Sequence, residues 1–293
     1  HLLKYDSVHG SLKKEINKIS DEQFSIGDNT VTVTSEKNPI DLKWKDKKVD
    51  IILECTGVFV SKEKAMSHIE SGASKVIVSA PCSDADITVV QGVNNENINI
   101  DHQIISNASC TTNCLAPVAF VIDKEFGIEN GYMTTIHSFT GDQNTVDTFH
   151  KDLRRSRASM TNLIPTTTGS AKAINLIYPE LKGKLNGHAI RVPVINASLT
   201  DCVFEVKQNT SKEEVNELLK EASKNKLKNI LGYEEKLLVS SDYLNDPRST
   251  IIDADSTMVV NETHVKVYAW YDNEMGYACR MVDLAKRMVD LDQ

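Results

Sequence analysis

The residues best placed to do chemistry lie in Ser106-Asn107-Ala108-Ser109-Cys110-Thr111-Thr112-Asn113-Cys114. The apolar pair Ile104-Ile105 before this stretch reads as a strand end. The periodic set Leu115, Val118, Ala119, Val121, Ile122 and Phe126 after it reads as a helix. Cys110 therefore falls where a strand hands over to a helix. Unpaired N–H groups and the positive end of the helix dipole would favour its thiolate there, and the thiolate is the nucleophile of covalent catalysis. The competing reading is a buried structural cysteine. A proton acceptor is the natural partner, and His137 closes the strand-like run Met133-Thr134-Thr135-Ile136. His68, His102, His150, His188 and His264 read as surface or structural. Lys151, Arg154, Arg155 and Arg157 form a basic cluster, read either as a solvated face or as a site for a small anion such as phosphate.

The elements that must carry these residues follow from the rest of the chain. A length of 293 residues suits two domains, and 25% charged with 40% hydrophobic residues is ordinary globular composition. A net charge of −8 disfavours non-specific nucleic-acid binding, and no apolar run is long enough to span a bilayer. The start, His1-Leu2-Leu3-Lys4-Tyr5, carries no secretory signal. Six scattered cysteines without a paired C-x-x-C set predict free thiols, no metal site and a cytoplasmic location.

Val31–Thr34, Val49–Cys55 and Lys75–Ser79 read as strands, and Ser61 caps a helix running to Ser71 with Gly72 as its stop. This strand–helix–strand rhythm predicts a parallel sheet, whose ligands bind beyond the strands' carboxyl ends, at Thr56-Gly57 and Ser79-Ala80. Beyond Cys110 the pattern turns β-rich: Gly131–Ser138, Ala189–Val194, Asp201–Val206 and His264–Tyr271. A helix over Ser211–Ala222 opens with a Ser211/Glu214 capping box, and a final amphipathic helix covers Tyr277–Val289. Successive strands predict an α+β unit with a mainly antiparallel sheet. Pro117 inside the helix that begins near Cys110 predicts a kink or an irregular first turn.

The cysteine motif, continued through Leu115-Ala116-Pro117, resembles the active-site signature of the phosphorylating glyceraldehyde-3-phosphate dehydrogenases of bacterial type. Met133–His137, Lys151–Arg157, Thr166–Ala173, Arg191-Val192-Pro193 and Trp270–Glu274 resemble further stretches of that family in the same order. The resemblance implies a Rossmann-type α/β NAD-binding domain over 1–109, completed by a C-terminal helix over 274–293, and an α+β catalytic domain over 110–273. It implies Cys110 as nucleophile and His137 as base and oxyanion donor. Thr140, Arg155 and Arg191 would take the substrate phosphate, and Ser109, Thr111, Thr168 and Gly169 the attacking phosphate. Thr56, Gly57, Ser79 and Asn273 would line the cofactor groove. NAD is the implied cofactor, glyceraldehyde 3-phosphate and inorganic phosphate the reactants, and a homotetramer the assembly. Cys114 is expected to be a buried spacer, able to bridge to Cys110 only on oxidation.

The chain also departs from that pattern. A Gly-x-Gly-x-x-Gly fingerprint is not found, and roughly 45 residues that would carry it in the family lie before the equivalent of His1. A protein lacking them is expected to bind cofactor weakly and fold poorly. Thr148-Phe149 matches neither the Leu-Pro of NAD users nor the small pair of NADP users, which leaves NADP open. Leu163–Ala171, Gly187–Ala189 and Ala197–Phe204 resemble an arsenate-resistance subgroup. The alternatives are an erythrose-4-phosphate dehydrogenase, an arsenate-linked variant, a Cys–His acyl hydrolase and a non-catalytic binding form.

Overall fold

The computed structural model describes residues 1–291. Short antiparallel strands open the chain: β1 (Tyr5–Asp6) with β2 (Gly10–Ser11), then the meander β3 (Ile16–Lys18), β4 (Gln23–Ile26) and β5 (Asn29–Thr32). The first expected strand, Val31–Thr34, is thus the end of β5.

A four-stranded parallel sheet follows, built from β6 (Ile51–Glu54), β7 (Lys75–Val78), β8 (Ile87–Thr88) and β9 (Ile104–Ser106), in spatial order β6-β7-β9-β8. Both faces are covered, as a parallel sheet requires. On one face lies α1 (Lys62–Glu70), capped by the Ser61 hydroxyl, which accepts from the Lys64 N–H. Its Ala65 packs with Ile52, Val76, Val78 and Ile104. On the other face Met281, Leu284 and Met288 of the last helix, α5 (Met275–Leu291), pack on Ile77, Val89 and Ile105. The expected segment 274–293 therefore covers this sheet through Leu291; its last two positions, 292 and 293, lie outside the described residues.

The second sheet has seven strands: β10 (Ile128–Ser138), β11 (Ile164–Thr166), β12 (Leu185–Val192), β13 (Ser198–Val206), β14 (Leu231–Glu234), β15 (Thr250–Val260) and β16 (His264–Tyr271). Their order is β11-β12-β10-β13-β16-β15-β14. The pairs β10–β12 and β14–β15 are parallel and the others antiparallel. Three helices pack against this sheet and one another: α2 (Cys110–Phe126), α3 (Ser170–Ile177) and α4 (Lys212–Lys224). The Ser211/Glu214 capping box of α4 forms as expected. Both expected sheet types are present.

The expected proline position falls inside a helix. α2 runs unbroken from Cys110 to Phe126 through Pro117. Proline removes one donor, so the cost falls on the Asn113 carbonyl. The helix is otherwise enclosed, with thirteen buried residues, and that packing holds it in one piece. Among the described residues no helix is long and apolar enough to cross a membrane.

Candidate active site

A sharp turn delivers Cys110. β9 ends at Ser106, and Ala108 then takes a left-handed conformation (φ 55°), which costs a non-glycine residue about 1 kcal/mol or more. The turn is tied down on several sides. Its N–H donates to the Ser106 hydroxyl, its carbonyl accepts from the Tyr277 hydroxyl of α5, and Asn113 Nδ2 donates to the Asn107 and Ser109 carbonyls. Ser109 then caps α2, its hydroxyl accepting from the Thr112 N–H at 3.1 Å. Cys110 is the first helical residue, so its N–H and that of Thr111 have no acceptor within the helix.

β10 supplies the partner. Cys110 Sγ lies 3.4 Å from His137 Nε2, and His137 Nδ1 lies 2.6 Å from the Ser138 carbonyl. A carbonyl only accepts, and it lies nearer Nδ1 than the Arg191 Nη1 donor at 3.3 Å, so the Nδ1 hydrogen points at Ser138 and Nε2 turns its lone pair to the thiol. The imidazole is buried and packs edge-on against Tyr271. Burial first, then the positive charge of Arg191, pushes His137 down to about 4.

The expectation that the helix start alone favours the thiolate is not met. Burial raises the Cys110 thiol above its ordinary value, opposed by hydrogen bonds from Thr111 and by the Arg191 charge. Both shifts favour an uncharged thiol–imidazole pair. Moving the proton from Sγ to Nε2 makes two opposite charges in contact, whose attraction offsets part of their desolvation.

The pocket holding this pair has a volume of about 390 Å³ and is also lined by Ser109, Thr168, Gly169, Arg155 and Arg191. It therefore brings Arg155 and Arg191 together with Ser109, Thr111, Thr168 and Gly169, while Thr140 stands outside the lining. Arg191, on β12 opposite His137 in the parallel register, donates Nη1 to the Ser138 carbonyl at 3.0 Å and to Thr140 Oγ1 at 2.8 Å. Its Nε is buried without a partner, a donor aimed at no acceptor in the protein. Arg155 donates to Thr166 Oγ1 at 2.9 Å and to Asp142 at 2.5 Å. Ser109 and Thr168 both reach the Ser170 hydroxyl at the start of α3, at 3.1 and 3.0 Å.

Two site expectations change in detail. The Thr111 hydroxyl is held by Tyr271 at 2.9 Å, so this residue braces the helix start as well as lining the pocket. Of the basic cluster Lys151, Arg154, Arg155 and Arg157, Arg155 alone lines the pocket. Arg157 pairs with Asp147 at the surface and Arg154 points to the Pro165 carbonyl. Cys114, one turn after Cys110, is a buried free thiol whose Sγ faces Thr250 and the Ala269 carbonyl.

At the carboxyl end of β6, Thr56 is fixed by Glu54, whose carboxylate accepts from both the Thr56 N–H and its hydroxyl. Glu54 also accepts from His68, which in turn accepts from the Trp44 indole. The Gly57 backbone is left-handed, at φ 73°, and open on its outer side. Ser79 follows the end of β7. Asn273 is buried, and its Oδ1 accepts from the Ser198 hydroxyl at 2.7 Å, which directs its amide donors elsewhere. Open strand ends and an oriented amide suit a nicotinamide dinucleotide. Tyr271, Ser170, Ser198 and Asp142 were not singled out by the sequence. Tyr271, Ser170 and Ser198 lie within stretches that were named and Asp142 lies two residues after Thr140, and that adjacency is the one signal pointing to them.

A parallel sheet with open strand ends beside a cysteine–histidine pocket with two arginines is the architecture of a nicotinamide-dependent dehydrogenase. Residues 109–273 match the family described as glyceraldehyde 3-phosphate dehydrogenase, C-terminal domain, and residues 1–62 its NAD binding domain. The chain is 50% identical over 289 residues to glyceraldehyde-3-phosphate dehydrogenase 2 of Bacillus subtilis, covering 98% of this chain and 85% of the relative. It is 52% identical over 291 residues to glyceraldehyde-3-phosphate dehydrogenase 2 of a Nostoc species, covering 99% and 86%. It is also 52% identical over 285 residues to glyceraldehyde-3-phosphate dehydrogenase of Pseudomonas aeruginosa, covering 97% and 84%. The chain belongs to the glyceraldehyde-3-phosphate dehydrogenase family.

Proposed function

We propose that this protein oxidises glyceraldehyde 3-phosphate to an acyl phosphate through a thioester on Cys110, with NAD as hydride acceptor. The observation that carries the reading is the Cys110–His137 contact of 3.4 Å, with the imidazole tautomer fixed by Ser138, inside a pocket lined by Arg155, Arg191 and Thr168-Gly169.

The Cys110 sulfur attacks the aldehyde carbon while His137 Nε2 takes the thiol proton, forming a hemithioacetal. The resulting imidazolium and the free Cys110 N–H stabilise the developing oxyanion. Arg191, Arg155 and Thr140 bind the substrate phosphate, and Arg191 Nε supplies the uncommitted buried donor. Thr56, Gly57, Ser79 and Asn273 would hold NAD, which would supply the acceptor for the hydride lost from the hemithioacetal carbon. Inorganic phosphate held by Ser109, Thr111, Thr168 and Gly169 then attacks the thioester carbon. The C–S bond breaks and the Cys110 thiolate leaves as the acyl phosphate forms.

In this reading residues 1–109 with the C-terminal helix serve the cofactor and 110–273 the chemistry. A cytoplasmic setting and a homotetramer belong to the same proposal. Assembly is supported by Val146, Phe149, Leu153 and Leu163, large apolar side chains left exposed on one loop stretch. A stoichiometric burst of reduced nicotinamide on mixing enzyme, NAD and glyceraldehyde 3-phosphate, absent in Cys110→Ser, tests the chemistry. Acyl-ester turnover by Cys110 without nicotinamide would instead make the protein a hydrolase. Relative rates with erythrose 4-phosphate, and with arsenate for phosphate, separate the neighbouring activities.

A further inference from the structure

One carboxylate sits among the donors assigned above to the substrate phosphate. Asp142 Oδ1 accepts from the Thr140 hydroxyl at 2.5 Å, and Oδ2 accepts from Arg155 Nη1 at 2.5 Å. Thr140 Oγ1 in turn accepts from Arg191 Nη1 at 2.8 Å. Every residue of the proposed phosphate site is thus engaged by this one side chain, directly or through Thr140. Asp152 stands 3.8 Å from Arg155, so two arginines face two carboxylates and their charges balance. Burial alone would raise Asp142. Thr140, Arg191 and Arg155 outweigh it and hold the carboxyl below its ordinary value, so it is an anion at neutral pH. Its side chain remains about one third exposed, on the irregular stretch between β10 and β11.

We propose that Asp142 is a specificity-determining residue, an internal counter-anion that occupies the substrate-phosphate donors until a phosphoryl group displaces it. The proposal rests on the assignment of Thr140, Arg155 and Arg191 to that phosphate. A phosphoryl dianion brings two charges and three acceptor oxygens and can exchange for one carboxylate. An uncharged aldehyde offers nothing in exchange, and a singly charged one is a poor competitor. Asp142 would therefore sharpen the choice between phosphorylated aldehydes and their unphosphorylated counterparts, at some cost in affinity for the former.

The test uses Asp142→Asn, which keeps an oxygen for Thr140 but removes the charge, with Asp142→Ser as a second neutral variant. Sulfate is the probe anion, read as inhibition competitive with the aldehyde. KM is measured for glyceraldehyde 3-phosphate and for glyceraldehyde, in wild type, the two variants and Arg191→Met. The expected result is a sulfate inhibition constant about tenfold lower in the neutral variants, equivalent to ~1.4 kcal/mol. KM for the phosphorylated aldehyde should fall with it, and kcat/KM for glyceraldehyde should move much less. A carboxylate that merely anchors its loop gives the opposite sign, weaker anion binding on removal. Unchanged or weaker sulfate inhibition in the neutral variants, with KM for the phosphorylated aldehyde raised in Arg191→Met, overturns the proposal and leaves the phosphate site standing. No effect of Arg191→Met on either quantity removes the site and the proposal together.

Discussion

The proton-transfer role of His137 can be tested by replacing it with asparagine, which keeps a polar side chain of smaller size but lacks the basic nitrogen. The fixed tautomer leaves Nε2 as the acceptor facing Sγ at 3.4 Å, and no neighbour can take over. Arg191 is a donor only, and the Tyr271 hydroxyl is committed to Thr111 and Thr135. General-base assistance contributes about 10²–10⁴ in rate, or ~3–5 kcal/mol at 1.36 kcal/mol per decade. We expect the pre-steady-state burst of reduced nicotinamide to slow by that factor in His137→Asn, with its amplitude retained because the thiol survives. Alkylation of Cys110 by iodoacetamide at neutral pH should slow in parallel. Loss of the bond to the Ser138 carbonyl should cost about 1 kcal/mol of stability, so the variant should stay folded, which thermal melting and NAD binding would verify. A folded variant whose burst rate lies within threefold of wild type would refute the assignment of Nε2 as proton acceptor.

Three further outcomes follow from the contacts. Tyr271→Phe removes a buried hydroxyl that joins Thr111 at 2.9 Å to Thr135 at 2.7 Å, and should cost ~2–3 kcal/mol in urea unfolding and slow Cys110 alkylation as the helix start loosens. Ser198→Ala frees the Asn273 amide, which Ser198 orients at 2.7 Å, and should weaken NAD binding about three- to tenfold by titration, with the aldehyde KM little changed. Asp86 binds the N–H groups of Gln103 and Ile104 at 2.9 and 2.8 Å and pairs with Lys62. Burial raises its pKa, but Ile104, Lys62 and Gln103 outweigh this and leave it lowered. Its contribution is therefore present above the unfolded-state value near 3.9 and is lost as pH falls through the folded value. Asp86→Asn should cost ~1–2 kcal/mol from pH 5 to 8, most of it from the two backbone bonds because Lys62 is half exposed, and the gap should close below about pH 4.

The strands and helices legible in the sequence were those whose burial matches a simple period. β7 is buried throughout, with Val76, Ile77 and Val78 apolar after Lys75, because both faces of its sheet are covered, and α4 is marked at its start by Ser211 and Glu214. α3 and β15 escaped notice. α3 has glycine at its cap position with no side-chain cap bond, and β15 bends through a register shift between Asp253 and Met258 that blurs alternation. The helix continues through Pro117 because burial along its length outweighs one missing hydrogen bond.

The sequence by itself determined where the nucleophile stands, since a strand end, a capping serine and a helix start are local facts of residue type and order. It also identified His137 and Arg191 as residues of the right chemistry, though 27 and 81 positions beyond Cys110. Tertiary structure alone decided that they meet, because β10 and β12 lie side by side in parallel register and set His137 opposite Arg191. It also decided the protonation of the pair. Periodicity and helix position say nothing of how deeply a thiol is buried, and burial is what raises Cys110 and lowers His137. The same holds for Asp142, an unremarkable acid in the sequence that folding brings onto the arginine and threonine assigned to the substrate phosphate.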